Sequence, residues 1–231
     1  MKRQAGFTLI ELMISITLVA AISAGLLTTM RNGLLTLERT QQRLEENRRA
    51  LGIQDLIRRQ IGGAMPVKGS CGADEQIASR DIFRGNSSAL LLVSNESMAE
   101  GSRGYPRIAL YRVAPNANGT VRLEVFEQLF SGPASTAPWC EIDPTILHAP
   151  VGPPFVLLDN LANCRFIFRN VDQNTQFGRE WMDLWVQPLL PYAVRIEMEA
   201  APGSTVRMPI GSITIPLHVF RTPGEFYSDE Y

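Results

Sequence analysis

Basic residues are not in excess in this sequence, and charge of either sign is modest. The 22 lysines and arginines stand against 23 aspartates and glutamates, so the formal net charge is -1. A nucleic-acid partner needs an excess of cationic side chains to neutralise its phosphates, and the composition therefore predicts no such partner. Hydrophobic residues make up 45% of the 231 positions and charged residues 19%, which is ordinary for a globular chain. Most of the chain is expected to fold.

Catalytic and metal-binding patterns are also missing from the sequence. The two histidines, His148 and His218, stand far apart, and no GxSxG elbow, phosphate-binding glycine loop, HExxH helix or EF-hand spacing occurs. The aspartates of the second half are isolated, which is typical of solvated loop residues rather than of a calcium site. We therefore expect no enzyme activity, no metal and no cofactor.

Cysteine is scarce. Only Cys71, Cys140 and Cys164 occur, and their spacing fits neither a CxxC motif nor a zinc site. In an oxidising compartment one pair could form a disulfide and leave one thiol over. Three partly buried small apolar residues are the alternative interpretation. The spacing does not indicate which pair would bridge.

One long apolar run does occur, at the N-terminus. Met1 to Gly6 is a short basic leader, and the 24 residues from Phe7 to Met30 contain a single charge, that of Glu11. As a helix this run is about 36 Å long, enough to cross a hydrocarbon core of about 30 Å. It therefore predicts one membrane-spanning segment.

An ordinary secretory signal peptide is the alternative interpretation of this run. Its apolar region would extend from Leu12 to Ala24, with Ala21 and Ser23 as small residues near a cleavage site. An acidic residue early in the run opposes membrane insertion, and no turn follows Ala24, so both features disfavour this interpretation. Cleavage there would release a soluble secreted protein.

The segment GFTLIELMISI, behind its basic leader, resembles the N-terminus of type IV prepilins and pseudopilins. The resemblance implies that a membrane-embedded prepilin peptidase cleaves after Gly6 and methylates the new N-terminal residue, Phe7. The apolar helix is then kept as membrane anchor and filament core. The family carries glutamate at the fifth mature position, here Glu11. The resemblance implies that this carboxylate meets the N-terminal amine of a neighbouring subunit.

The helical pattern continues past the apolar run. We expect one helix from Phe7 to about Ile61, ended by Gly62 and Gly63, with an amphipathic second half. This half is predicted to pack its apolar stripe on its own domain, with a coiled-coil partner surface as the alternative. The stripe comprises Leu34, Leu37, Leu44, Leu51, Ile53, Leu56, Ile57 and Ile61.

Strand-like runs follow the helix. Ala89 to Ser94 is continuously apolar and predicts a buried strand, whereas residues 66–85 are polar and typical of a surface loop. The runs 107–113 and 121–129, joined by the turn sequence APNANGT, predict a hairpin. The polar face of its second strand would carry Arg122, Glu124 and Gln128.

The remaining sequence predicts a strap and more strands. Six prolines in residues 131–154 indicate a long ordered loop, and further strands are expected at 155–158, 164–170, 192–200 and 212–220. A long helix followed by mostly antiparallel strands is an α+β fold. We divide the chain into a cleaved leader (1–6), a transmembrane helix (7–30), its amphipathic continuation (31–63) and a β-rich domain (64–231).

A second resemblance lies in the β-rich part. The segments DIFRGNSSALLLVSN, LLDNLANCRFIFRN and WMDLWVQPLLPYAVRIEMEA together resemble the J-type minor pseudopilin of type II secretion systems. The proline-rich segment around Cys140 departs from that pattern. The resemblance implies a single-pass protein of the bacterial inner membrane with a periplasmic domain. The implied partners are the I-type and K-type minor pseudopilins, the major pseudopilin, the prepilin peptidase and the inner-membrane assembly platform.

Two alternatives to this function remain open at the level of sequence. A minor pilin of a type IV pilus would share the N-terminus, and a soluble secreted protein would result from ordinary signal cleavage. Trp181 and Trp185 allow two interpretations as well: anchoring in the core, or an exposed patch that binds a partner.

Overall fold

The computed structural model of the chain describes residues 8–70, 79–140, 152–170, 181–202 and 211–217. Its fold class is α+β, as predicted: a long N-terminal helix is followed by an antiparallel, curled β-sheet. The chain divides into two compact units, Met1–Arg48 and Arg49–Tyr231. The predicted boundaries of leader, anchor and domain stay predictions.

The helix α1 spans Leu9–Gly62. A short 3-10 helix spans Pro133–Trp139. The strands are β1 (Ala64–Met65), β2 (Lys68–Ser70), β3 (Ser79–Asp81), β4 (Arg84–Asn86), β5 (Ala89–Ser97), β6 (Ser102–Pro115), β7 (Val121–Leu129), β8 (Phe155–Arg169), β9 (Trp181–Met182), β10 (Leu184–Trp185), β11 (Ala193–Ala200) and β12 (Ile213–Pro216).

The helix α1 confirms the predicted single helix over the residues that the structure describes. It runs through position 24 without a break, and it ends at the two predicted glycines, where the Gly63 N–H donates to the carbonyl of Arg59 at 2.8 Å. In its last turns Asp55 and Arg59 form an ion pair at 2.7 Å, four residues apart. The helix end is then tied directly to the sheet, because β1 pairs with β5.

The sheet of the second unit has the strand order β10-β4-β5-β6-β7-β8-β11-β12, and each neighbouring pair is antiparallel. Strand β9 pairs with β8, and β10 pairs with β4. The five residues from Trp181 to Trp185 therefore link β8 back to β4, so this part of the sheet is curled on itself. The stretches predicted as two strands at 155–158 and 164–170 form one continuous strand, β8.

The predicted hairpin is confirmed as β6 and β7. These strands pair from Arg107 opposite Leu129 to Pro115 opposite Val121. In the turn, the Asn116 N–H donates to the Thr120 carbonyl at 2.8 Å. Gly119 has a φ of +80°, a left-handed conformation that glycine adopts without steric cost.

One core lies between the end of α1 and the sheet. Ile57 and Ile61 are buried there against side chains of β5, β6, β7, β8 and β11. Full burial of each such side chain contributes roughly 1.5–3 kcal/mol. Leu51, which was predicted to pack on the domain, is exposed, so that prediction is wrong for this residue. Leu34, Leu37 and Leu44 belong to the first compact unit, and their predicted packing stays a prediction. The same periodicity continues along α1, but only its last turns lie within the buried cluster.

A second core covers part of the opposite face of the sheet. Its buried members are Ile82, Ala89, Leu91, Val93, Ile108, Leu110, Phe126 and Trp139. Because β5 supplies residues to both cores, its continuously apolar sequence is explained and its prediction as a buried strand is confirmed.

Two predictions about surface residues are wrong. Residues 66–85 are not wholly a surface loop, since their described part forms β2, β3 and most of β4 and buries Ile82 and Phe83. Glu124, assigned to the polar face of β7, is fully buried. The alternating pattern of β7 indicated one buried face, but Glu124 on the other face is buried as well, where it forms ion pairs with Arg112 and Arg122 at 2.6 and 3.0 Å.

Candidate assembly surfaces and internal clamps

The first half of α1 presents apolar side chains around its whole circumference. From Leu9 to Met30 its large apolar residues are between 54% and 77% exposed. The segment Leu9–Gln41 has a mean hydropathy of 2.1 in its most apolar stretch and is long enough to cross a membrane. A helix that is apolar on all sides is suited to lipid or to packing among other apolar helices.

Four hydroxyl groups of this segment, those of Ser15, Thr17, Thr28 and Thr29, donate hydrogen bonds within the helix itself. The Ser15 hydroxyl donates to the Glu11 carbonyl at 2.8 Å, and the Thr28 and Thr29 hydroxyls donate to the Gly25 carbonyl at 2.8 and 2.9 Å. Such bonds to the preceding turn are needed where no water is present to serve these groups. The polar residues of the run are therefore compatible with a membrane anchor.

Glu11 lies in the first turn of α1, close to the helix N-terminus. Its N–H donates to the Thr8 carbonyl at 3.1 Å. A carboxylate here is stabilised by the positive end of the helix dipole, typically by about 0.3–1 kcal/mol. Within the described part of the chain the Glu11 carboxylate, which is exposed, makes no ion pair or hydrogen bond. Gly6 and Phe7, the predicted cleavage and methylation positions, lie outside the described residues.

The two tryptophans at positions 181 and 185 have different environments. Trp185 is 2% exposed, its indole N–H donates to the Leu189 carbonyl at 2.8 Å, and its ring lies 6.4 Å from that of Phe168. These contacts give Trp185 the anchoring role. Trp181 is half-buried, with the guanidinium of Arg195 3.9 Å from its ring centroid, so part of its surface is open to a partner.

The cysteines are not equivalent. Cys140 is disulfide-bonded, whereas Cys164 is a free thiol buried in the first core. Burial raises the pKa of Cys164 to about 12, so its thiolate is strongly disfavoured at neutral pH. Cys71 lies outside the described residues.

A buried polar clamp joins the end of α1 to the sheet, and sequence patterns gave no sign of it. The hydroxyl of Tyr111, which is fully buried, donates to Gln60 Oε1 at 2.6 Å. Gln60 Nε2 donates to the Glu96 carbonyl at 2.9 Å and to Glu127 Oε1. Glu127 in turn accepts bonds from the Met98 N–H at 2.6 Å and from the Ser97 hydroxyl at 3.0 Å. These bonds favour one register of the helix on the sheet.

A second set of polar contacts fastens the 3-10 helix over the second core. An Arg84 Nη donates to the carbonyl of Trp139, and the Trp139 indole N–H donates to Gln128 Oε1 at 3.2 Å. The Ser70 N–H donates to the Thr136 hydroxyl oxygen at 3.1 Å. The described part of residues 131–154 is therefore an ordered strap, in agreement with its prediction.

The N-terminal region matches a known family description. Residues 1–27 match the prokaryotic N-terminal methylation motif. Together with the long apolar helix and the β-rich unit, this motif supports a pilin- or pseudopilin-type protein, a structural class rather than an enzyme class. The motif implies processing by a prepilin peptidase and assembly with pilin-like subunits at a membrane. No curated protein and no solved structure matches the chain.

Proposed function

We propose that this chain is a minor pseudopilin of a type II secretion system. It would stand at the tip of the pseudopilus, help to start assembly and so support export of folded proteins across the outer membrane. The observation that carries the proposal is the methylation motif at the start of an unbroken helix, exposed and apolar in its first half, that ends in an α+β domain. The J-type resemblance of the β-rich segments supports the secretion pseudopilus over a type IV pilus.

The proposed location is the bacterial inner membrane, crossed once, with the β-rich domain in the periplasm. The disulfide at Cys140 supports this orientation, because disulfides persist in oxidising compartments such as the periplasm.

The proposed mechanism is binding rather than catalysis. After cleavage behind Gly6, the new amine of Phe7 carries a positive charge four residues from Glu11. A carboxylate in a water-poor filament core needs a cationic partner, and attraction over about 4 Å is worth about 4 kcal/mol at an effective dielectric of 20, before desolvation. Such a pair between neighbouring subunits would select one register of helix against helix.

Mass spectrometry of the mature N-terminus tests the processing step. The proposal expects a chain that begins with methylated Phe7, with the helix retained. A mature chain that begins near Gly25 would indicate ordinary signal cleavage and would refute the proposal. An uncleaved chain in cells that possess an active prepilin peptidase would also count against it.

Substitution of Glu11 tests the docking charge. Glu11→Ala is expected to leave the protein inserted and folded but to reduce its incorporation and the secretion of exported proteins. The matched control is Glu38→Ala, which removes another exposed carboxylate from α1 outside the apolar run. Equal secretion by the Glu11 variant, the control and the wild type would contradict the proposed role of Glu11.

Co-purification separates the secretion system from the pilus. The full-length protein in mild detergent is expected to bind the I-type or K-type minor pseudopilin of its own secretion system. Binding to minor pilins of a type IV pilus instead, with no binding to either pseudopilin, would favour the alternative function. The major pseudopilin, the prepilin peptidase and the inner-membrane assembly platform are the other proposed partners.

A further inference from the structure

An arginine held between aromatic rings lies on the outer face of the sheet. The guanidinium carbon of Arg169 is 5.8 Å from the ring centroid of Trp181 and 5.7 Å from that of Tyr192. The two rings lie on opposite sides of β8. Trp181 pairs with Arg169 on the side of β9, and the Tyr192 N–H donates to the Arg169 carbonyl on the side of β11. The planar guanidinium is thereby held in place before any partner binds.

The charge of Arg169 is not neutralised within the described part of the chain. Its Nε is buried without a hydrogen-bond partner. No carboxylate among the described residues forms an ion pair with its guanidinium. The two other arginines of this face, Arg165 and Arg195, approach one shared carboxylate, that of Glu197, at 2.7 and 3.9 Å. Arg169 is therefore the arginine of this cluster with hydrogen-bonding capacity left over.

We propose that Arg169, with the rings of Trp181 and Tyr192, forms a docking site for a carboxylate of a neighbouring pilin-like subunit. A guanidinium presents paired N–H donors that match the two oxygens of a carboxylate, and its fixed orientation lowers the entropic cost of binding. Tryptophan, tyrosine and arginine are also the residues most enriched at the energetic centres of protein interfaces. The site names one contact surface for the assembly role proposed above and rests on that role.

Binding of full-length protein in mild detergent to the purified I-type and K-type minor pseudopilins tests the site. Arg169→Met removes the charge and keeps a long unbranched side chain. It is expected to raise the Kd for one of these partners at least about tenfold. Arg169→Lys keeps the charge but loses the planar fork and is expected to fall between Arg169→Met and wild type. Arg165→Met, on the same strand and face, is the matched control and is expected to bind like wild type.

Two measurements separate docking from a structural role. Wild-type binding is expected to weaken more steeply with salt than binding by Arg169→Met, because one interfacial charge pair is lost. Thermal unfolding of Arg169→Lys is expected to resemble that of wild type, so that its weaker binding reports on the interface. A loss of binding that follows the loss of stability across both variants would overturn the docking role.

The remaining outcomes are also decisive. Equal binding by wild type, Arg169→Met and Arg165→Met would overturn this site and leave the assembly function standing. If the wild-type protein binds neither pseudopilin, both the docking site and the proposed assembly function are overturned. Asp172→Asn and Glu180→Gln test whether Arg169 binds a carboxylate of its own chain instead. If either variant loses binding as Arg169→Met does, and the double variant binds no more weakly than Arg169→Met alone, the carboxylate is intramolecular and the proposal fails.

Discussion

Removal of one hydroxyl from the clamp between α1 and the sheet is expected to destabilise the β-rich unit measurably. In Tyr111→Phe the aromatic ring keeps its edge-on contact with Phe166, whose centroid is 6.4 Å away. What is lost is the hydrogen bond of 2.6 Å to Gln60, whose oxygen then stays buried without this donor. A buried polar group left without a partner costs about 1–3 kcal/mol.

Chemical unfolding of the full-length protein in mild detergent measures this loss. The fluorescence of Trp139 and Trp185 reports on the β-rich unit, because both side chains are buried in it. A destabilisation of about 2 kcal/mol corresponds to a fall in Tm of about 4–8 °C for a unit of this size. The control is Tyr105→Phe, which removes the same hydroxyl from a tyrosine that is 77% exposed and is expected to change stability by less than about 0.5 kcal/mol.

A double-mutant cycle with Gln60→Leu isolates the bond itself. If the two side chains act through their hydrogen bond, the double variant is less destabilised than the sum of the single variants, by about 0.5 kcal/mol or more. Additive effects, or a Tyr111→Phe variant as stable as the Tyr105 control, would refute the clamp as a stabilising element.

Alkaline pH tests Tyr111 a second time, and charge removal and thiol labelling test two other buried groups, Glu124 and Cys164. Burial, and then the charge of Glu127, raises the pKa of Tyr111 well above 10.0. The stabilisation from the neutral hydroxyl is therefore complete below about pH 10 and is lost as the pH rises toward the folded-state pKa. Unfolding measured as a function of pH should show that Tyr111→Phe loses less stability at alkaline pH than wild type does. Glu124→Gln weakens bonds of 2.6–3.0 Å from two arginines whose side chains are about one-third exposed. It is expected to cost about 1–3 kcal/mol by urea unfolding, whereas Glu199→Gln, at an exposed position, changes little. Cys164, with its pKa raised to about 12, should resist iodoacetamide at pH 8 until urea unfolds the chain, and rapid labelling of the native protein would contradict its burial.

Regular periodicity explains which elements could be predicted from sequence. The helix α1, the buried strand β5 and the hairpin of β6 and β7 each depend on residues close in sequence, and each was confirmed. Apolar spacing indicates a face that can be buried, but it does not identify the surface that buries it. For this reason the stripe was predicted correctly as helical and wrongly as packed at Leu51.

The polar clamp and the contacts that hold the strap in place could not be predicted for a different reason. Tyr111 bonds to a glutamine 51 positions earlier, and Trp139 is held by an arginine 55 positions earlier. Local composition carries no sign of such pairs, since a glutamine near the end of an amphipathic helix is ordinary in sequence. The proposed docking charge was different: Glu11 interrupts a uniformly apolar run, and such an exception is visible in the sequence alone.

The two cores restrict where the β-rich unit can meet other subunits. Strand β5 is buried on both faces, by the end of α1 on one side and by the 3-10 helix and its neighbours on the other. Among the described residues, neither broad face of this strand is therefore open to a partner, which leaves the outer strands, the strand ends and the exposed helix for contacts. The Arg169 cluster lies where β8, β9 and β11 come together, outside both cores. A carboxylate can reach it without displacing any buried side chain, so a subunit can dock there while both cores stay intact.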